Sequence, residues 1–399
     1  MFNISVLPPL SLYIHLPWCV RKCPYCDFNS YRAQGEISQG RYIDALLRDL
    51  DQELPGIWGR RIRSIFLGGG TPSLFTPESI DTLLSGARAR LPFDRDTEIT
   101  LEANPGVVDA GHFQGFRDAG VNRLSIGVQS FEPEKLVALG RIHGSSEAVR
   151  AIEMARAAGF DNINLDLMFG LPEQTPVQAL ADLRTAISFQ PDHISLYQLT
   201  IEPNTVFHAQ RPVLPMDDAI WQMQCELQAL LATHDYRQYE VSAYAREAKR
   251  CRHNLNYWRF GDYLGIGAGA HGKISDPHGS ARRWKLKHPN AFMAQAGTPA
   301  SIAGERRLAP QDAILEFMMN TLRLTEGFPT RLFQERTGLP TMMVLGPLRS
   351  AERKGLLQWD ARSIRPSENG RRFLNDLLCL FMPDARAHAD MARQPIVVD

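Results

Sequence analysis

The sequence predicts an α/β fold: a partial (β/α)6 barrel followed by a C-terminal α+β region that includes a winged-helix-like unit. Two observations predict the barrel. Six apolar, β-branched segments alternate with helical stretches through the first half of the chain. A polar residue, cysteine or glycine stands at or just past the C-terminal end of every one of the six: Cys19, Gly69, Glu102, Gln129, Asp166 and Thr200. In a barrel those ends converge on one mouth, whereas in an open doubly wound sheet the strands far from the switch point would not contribute. A third observation, a helix–helix–helix–strand order after residue 309, predicts the winged unit.

The strands begin near Leu12 (LYIHL), Ser64 (SIFLG), Thr97 (TEITLEA), Asn122 (NRLSIGV), Asn162 (NINLDLMF) and His193 (HISLYQL). Their spacing suits parallel strands joined by helices rather than hairpins. Helices are expected over 42–54, 77–91, 146–158 and 176–189. Pro77 with Glu78 suits a first helical turn, and Gly159 suits a helix stop. Beyond Pro203 the rhythm stops. A helix over 217–233, a strand over 239–244 and the Gly-rich run 261–272 follow, then helices over 311–324, 330–336 and 341–354 and a strand over 356–359. The expected domains are the partial barrel 1–203, an extension 204–308, a winged-helix-like domain 309–382 and a disordered tail 383–399, which lacks periodicity.

Composition narrows the function classes. Among 399 residues, Lys+Arg and Asp+Glu number 44 each, so no bulk field attracts nucleic acid or an anionic membrane. No basic stripe marks the winged unit, which disfavours DNA binding. No apolar run approaches a membrane-spanning length, so membrane contact is at most peripheral. No Lys or Arg precedes His15, and Pro8-Pro9 interrupts the first apolar stretch, unlike a signal peptide. Six cysteines are too few for a disulfide scaffold, and the crowding of Cys19, Cys23 and Cys26 points to metal or redox chemistry in a reducing compartment; the expected location is cytoplasmic.

Three thiolates in one loop can grip a metal centre together. A cubane [4Fe–4S] cluster usually takes four, so three would leave one iron open to a ligand. Zinc completed by His15 or Asp27 is the other option, because structural zinc wants four protein ligands and Cys225, Cys251 and Cys379 are scattered. The run Gly68-Gly69-Gly70-Thr71-Pro72 after the second strand is either a tight turn or a place where backbone meets ligand, and no GK[ST] follows to make it a P-loop.

The segment 13–26, YIHLPWCVRKCPYC, resembles the cluster loop of radical S-adenosylmethionine (SAM) enzymes, specifically the coproporphyrinogen dehydrogenase-related group. The resemblance runs from about residue 11 to 382. It implies a [4Fe–4S] cluster on Cys19, Cys23 and Cys26 whose open iron chelates the amino and carboxylate groups of SAM, with reductive cleavage giving a 5′-deoxyadenosyl radical. It further implies that Tyr13, Gly69, Gly70, Thr71, Glu102, Gln129, Arg141 and Asp166 contact SAM. Thr200 and the stretch 265–271 hold matching positions but depart in residue type from the family's oxidase. Two further departures separate this chain from that oxidase: Phe28 replaces its fourth cysteine, and the segment ahead of Cys19 is short.

Phe28 together with His253-Asn254-Leu-Asn-Tyr257-Trp258, an HNxxYW pattern, resembles the HemW-like haem chaperones of the group. Read from its residues, His253 is a satisfied core histidine or a haem ligand, and Tyr257 and Trp258 could offer rings to a macrocycle. The resemblance implies that His253, Asn254, Tyr257 and Trp258 bind haem as cargo for delivery to haem proteins such as respiratory enzymes. The alternative is an oxygen-independent coproporphyrinogen III oxidase, disfavoured by Phe28 and the short leading segment; a nucleic-acid-binding module is the third class considered.

Overall fold

Apolar residues at alternate positions favour extended segments that hide one face. In the computed structural model, which describes residues 2–382, six such segments pair in chain order: β1 (Leu10–Leu16), β2 (Ile62–Gly69), β3 (Phe93–Ala103), β4 (Arg123–Gln129), β5 (Ile163–Phe169) and β6 (His193–Gln198). Each is parallel to the next. An unbroken order is that of a barrel wall, since a doubly wound sheet reverses at its switch point.

The connecting helices are α1 (Gln39–Glu53), α2 (Pro77–Arg90), α3 (Ala110–Asp118), α4 (Pro133–Ala138), α5 (Ser145–Ala157) and α6 (Pro176–Ser188). Local chemistry sets their starts. Thr76 Oγ1 accepts from the Ser79 amide ahead of α2, and Thr175 with Gln178 forms a capping box for α6. Leu12, Ile14, Ile65, Leu67, Leu101 and Ile126 face outward and join Tyr42, Leu46 and Leu83 of the helices in one core.

The opposite strand face is polar. Ser64, Glu98, Arg123, Asn164 and His193 are all buried inside the barrel. Such groups are stabilised in burial largely by bonding to one another, although Arg123 Nε has no hydrogen-bond partner. Ser11 and Ser64 share a 2.7 Å hydrogen bond, His193 Nδ1 meets Asn164 Oδ1 at 2.6 Å, and Asn164 donates to Ser125 at 2.7 Å.

The segment after β6 extends both edges of the sheet. β7 (Arg237–Gln238) and β8 (Ala243–Ala245) continue antiparallel beyond β6. The single strand expected over 239–244 is thus two short ones. Glu240 bends the chain between them by accepting from the Ser242 amide and hydroxyl, and the Tyr239 hydroxyl turns inward to His193 Nε2 at 2.8 Å. On the other edge β9 (Asp262–Ile266) lies parallel to β1, and β10 (His271–Asp276), β11 (Gly279–Lys285) and β12 (Ile302–Arg307) follow antiparallel. Part of the Gly-rich run is therefore a seventh parallel strand. With β9 rather than β6 beside β1, the barrel stays open.

α7 (Asp217–Ala232) lies against α6, and α8 (Arg252–Trp258) crosses beneath the N-terminal ends of β1, β2 and β9. The C-terminal unit comprises α9 (Pro310–Thr321), β13 (Phe328–Pro329), α10 (Arg331–Thr337), α11 (Leu345–Arg353), β14 (Leu357–Trp359) and β15 (Ser363–Pro366). Its strands form a small sheet in the order β13-β15-β14 around its own apolar core, which includes Phe317, Phe333 and Leu348. The tail 383–399 lies outside the described residues. Among the described residues no helix is long and apolar enough to cross a membrane.

Candidate cofactor and ligand site at the barrel mouth

The loop after β1 carries Cys19, Cys23 and Cys26, all half-buried and none in a disulfide. Cys19 lies close enough to Cys23 and to Cys26 for their charges to oppose each other. Burial pushes the thiols of Cys19 and Cys26 up; the Thr71 and Ser30 hydroxyls near Cys19 oppose that shift. Arg141, in the turn after α4, donates from Nη1 to Cys23 Sγ at 3.7 Å and from Nη2 to the Gly127 carbonyl at 2.8 Å.

The glycine run after β2 clamps this loop. The Gly70 amide donates to the Leu16 carbonyl at 2.9 Å and the Thr71 amide to that of Trp18 at 2.7 Å. A Cβ on Gly70 would lie 2.5 Å from the Trp18 carbonyl oxygen, and one on Gly69, where φ is +113°, would strike the His15 ring at 2.5 Å. The glycines are thus required first for the approach of the chain to its own cluster loop.

Facing them, Glu102 accepts from the Gly69 backbone. Burial and then the neighbouring Asp166 push its carboxyl up to about 8. Asp166 accepts from Ser125 and Asn164, each at 2.9 Å, yet burial still raises its pKa. Gln129 sits beside Gly127 and Arg141 with φ of +68°. That strained backbone is steadied by buried Asp182, which accepts from the Ser130 hydroxyl at 2.6 Å and the Phe131 amide at 2.7 Å. Tyr13 donates or accepts with His15 Nδ1 at 3.0 Å and stacks on Phe66. The structure therefore gathers Tyr13, the three cysteines, Gly69, Gly70, Thr71, Glu102, Gln129, Arg141 and Asp166 at one end of the barrel. Thr200 lies exposed at the rim, bonded to Glu202 at 2.7 Å.

The donor set fits a [4Fe–4S] cluster. His15, an imidazole that would complete a zinc site, is engaged through Nε2 with the Asn29 carbonyl at 2.9 Å and through Nδ1 with Tyr13 at 3.0 Å. Two mouth carboxyls whose pKa values are raised by burial suit a ligand that brings positive charge, as the ammonium and sulfonium of SAM would.

The HNxxYW residues lie at the other end. His253, on α8, is 8% exposed; its Nδ1 meets Ser64 Oγ at 3.1 Å, its ring packs on Phe66, and burial with nearby Arg123 holds its pKa down to about 3. Glu98 accepts the Arg252 and His253 amides at 3.0 Å, the missing-partner donors of a helix start. Tyr257 meets Trp258 edge-on and lies tilted against Tyr263, and the Arg323 guanidinium lies 4.3 Å over the Trp258 ring. Asn254 is half-buried on the same helix. The helix thereby closes the barrel floor and joins it to the C-terminal unit, whose core takes in Phe260. The motif and the cluster loop are not brought together.

Several residues at work here lie outside the motifs: Asn29, Asp182, Arg123 and His193. Alternation within strands was the available signal, since Glu98-Thr100-Glu102, Arg123-Ser125 and His193-Ser195-Tyr197 mark the inward face at period two.

The fold and the three-cysteine mouth define a class, and comparison with known proteins agrees. Residues 13–186 match the radical SAM superfamily and residues 308–373 the HemN C-terminal domain. The chain is 51% identical over 95% of its length to the Escherichia coli protein named Heme chaperone HemW, covering 99% of it, and 34% identical to the Bacillus subtilis protein of that name, over 93% of this chain and 99% of that one. The structure of Escherichia coli coproporphyrinogen III oxidase (HemN) superposes with a TM-score of 0.80 at 24% identity, over 94% of this chain and 91% of that one. The chain belongs to the HemW family of radical SAM proteins.

Proposed function

We propose that this protein binds haem and delivers it to haem proteins in the cytoplasm and at the membrane surface, respiratory enzymes among them. The observation that carries this reading is the likeness to proteins named haem chaperones, which spans 99% of the Escherichia coli relative. Cys19, Cys23 and Cys26 would hold the cluster; Tyr13, Gly69, Gly70, Thr71, Glu102, Gln129, Arg141 and Asp166 would hold SAM. A bound cluster and SAM supply one-electron chemistry at the mouth. The chain's own part is to orient and shield: the clamp of Gly70 and Thr71 on residues 16–18 fixes the loop, and Glu102 and Asp166 present carboxyls to a cation.

Phe28 favours cargo handling over oxidative decarboxylation, because an exposed phenyl ring stands where the oxidase carries a thiol. The test is anaerobic incubation of the reconstituted protein with SAM and dithionite, once with haem and a haem-free acceptor and once with coproporphyrinogen III. Transfer of the Soret band to the acceptor is expected. Decarboxylated porphyrinogen without haem transfer would overturn the reading in favour of the oxidase.

A further inference from the structure

We propose that α8 is a hinged lid on the barrel floor, held shut here by Glu98, Ser64 and Ser11, and that its N-terminal end must swing out for His253 to take the iron of haem. This rests on the haem-carrying function proposed above and on the ligand role that the HNxxYW resemblance gives His253. A histidine that ligates haem presents a bare nitrogen to a broad, flat macrocycle, so it needs open space around that nitrogen. His253 lacks that space in the shut position. It is 8% exposed, its Nδ1 meets Ser64 Oγ at 3.1 Å, and its ring lies on Phe66 with centroids 5.1 Å apart.

The latch is polar and acts on the first turn of the helix. Glu98 of β3 accepts the Arg252 and His253 amides at 3.0 Å each and the Cys251 thiol at 3.6 Å. Asn256 Nδ2 donates to Ser11 Oγ at 2.9 Å, and Ser11 shares a 2.7 Å hydrogen bond with the Ser64 that holds His253. Two residues of the helix thus grip one serine pair from β1 and β2. Beyond this latch the same end is tied by solvent-facing ion pairs, Arg250 with Glu326 and Arg252 with Asp96, each at 2.6 Å, which are worth little in water. The shut position is also incompletely satisfied, because Trp258 Nε1 is buried without a hydrogen bond.

Both flanks of the helix carry strained backbone, as switch segments do. Ala248 ahead of it has φ of +61° and Phe260 behind it has φ of +54°, and neither is a glycine. Phe260 is buried in the apolar core of the C-terminal unit and meets Phe317 edge-on at 5.6 Å, so that flank is anchored. Ala248 is exposed. A swing therefore pivots at Phe260 and carries His253, at the far end of α8, through the larger arc. A ligand that binds only the open form is weakened by the fraction of chains that are shut, so the latch sets how readily haem is taken up.

Cys251 reports on the lid directly. It stands at the N-cap of α8, it is fully buried, and burial pushes its thiol up to about 12, so alkylation needs the lid open. The test follows N-ethylmaleimide labelling of the full-length, anaerobically reconstituted protein by peptide mass spectrometry, beside haem binding at the Soret band, with exposed Cys225 as internal standard. In the parent, bound haem is expected to raise Cys251 labelling about tenfold or more. Ser11→Ala, Ser64→Ala and Glu98→Gln, each checked for unchanged circular dichroism and cluster absorbance, are expected to raise labelling without haem and to speed haem association a few-fold. Labelling of Cys251 that bound haem leaves unchanged would overturn the lid. So would slower haem association in Ser64→Ala, which would make Ser64 a group that orients His253 toward the iron, or the parent's Soret band in His253→Ala. Failure of the parent protein itself to bind haem would instead overturn the function on which the lid rests.

Discussion

The two ends of this barrel are built from the same polar strand face and put to opposite use. At the floor most polar groups find partners, Ser64 with Ser11 and His253, Glu98 with two backbone amides, His193 with Asn164 and Tyr239, although Arg123 Nε and Trp258 Nε1 are buried without a hydrogen bond. At the mouth the groups are left in excess. Glu102 and Asp166 oppose each other, three thiols share a loop, and Gln129 holds a strained backbone. Bonded neutrality marks a seal, and unresolved charge marks a place for a ligand. Within HNxxYW, His253 is bonded into the floor through Ser64, while Trp258 Nε1 is buried without a hydrogen bond.

The sharpest break between the ends is expected for iron. Cys19→Ala, Cys23→Ala and Cys26→Ala should each abolish the broad iron–sulfur absorbance after anaerobic reconstitution, while Cys225→Ser, Cys251→Ser and Cys379→Ser retain it. Cys251 makes the comparison strict, because burial pushes its thiol to about 12 and it faces Glu98 at the floor.

Next is Gly70→Val. A side chain there meets the Trp18 carbonyl, so the cluster loop must shift. Iron per chain is expected to fall along with SAM affinity, by more than half; full iron content with SAM binding alone lost would show that the glycine serves only the ligand.

His253→Ala is expected to act on stability instead. It leaves a void against Phe66 and removes one partner of Ser64, a loss on the order of 2–4 kcal/mol by denaturant unfolding. The titrations also differ in sign. His253 titrates at about 3 against an ordinary 6.5, so its contribution to stability falls away as pH drops below 6.5. Glu102 titrates at about 8 against 4.5, so the ligand-free protein loses stability as pH rises through that window. Glu102→Gln is therefore expected to stabilise the ligand-free protein at pH 7.5, by on the order of 1–3 kcal/mol, while weakening SAM binding. A destabilised Glu102→Gln protein would place Glu102 in the seal.

The smallest effect is expected at Arg141, whose N–H to Cys23 Sγ favours the more reduced cluster. Arg141→Gln should move the midpoint potential of the SAM-free cluster to a more negative value with iron content kept.

Most of the mouth was legible in the sequence because its parts fall at strand ends, and strand ends announce themselves through the apolar runs before them. Cys19, Gly69, Glu102, Gln129 and Asp166 were placed by that logic alone. The floor was not legible. Arg252 to Trp258 enters the barrel only because Glu98, on a strand more than 150 residues earlier, accepts its first amides, and no local pattern encodes that pairing. The Gly-rich run hid a strand for a related reason: Asp262–Ile266 gains its place from β1, and Gly265, where the His271 carbonyl leaves no room for a Cβ, carries no strand signal of its own.

The open iron at the mouth can be tested directly by electron paramagnetic resonance of the dithionite-reduced protein with and without SAM, alongside iron, sulfide and zinc analysis. A cluster bound by three cysteines is expected to show a reduced [4Fe–4S] signal whose g-values change when SAM is added, and that change should be lost in Glu102→Gln at subsaturating SAM. A signal indifferent to SAM at any concentration, or zinc in place of iron and sulfide, would contradict a ligand-binding cluster at the mouth.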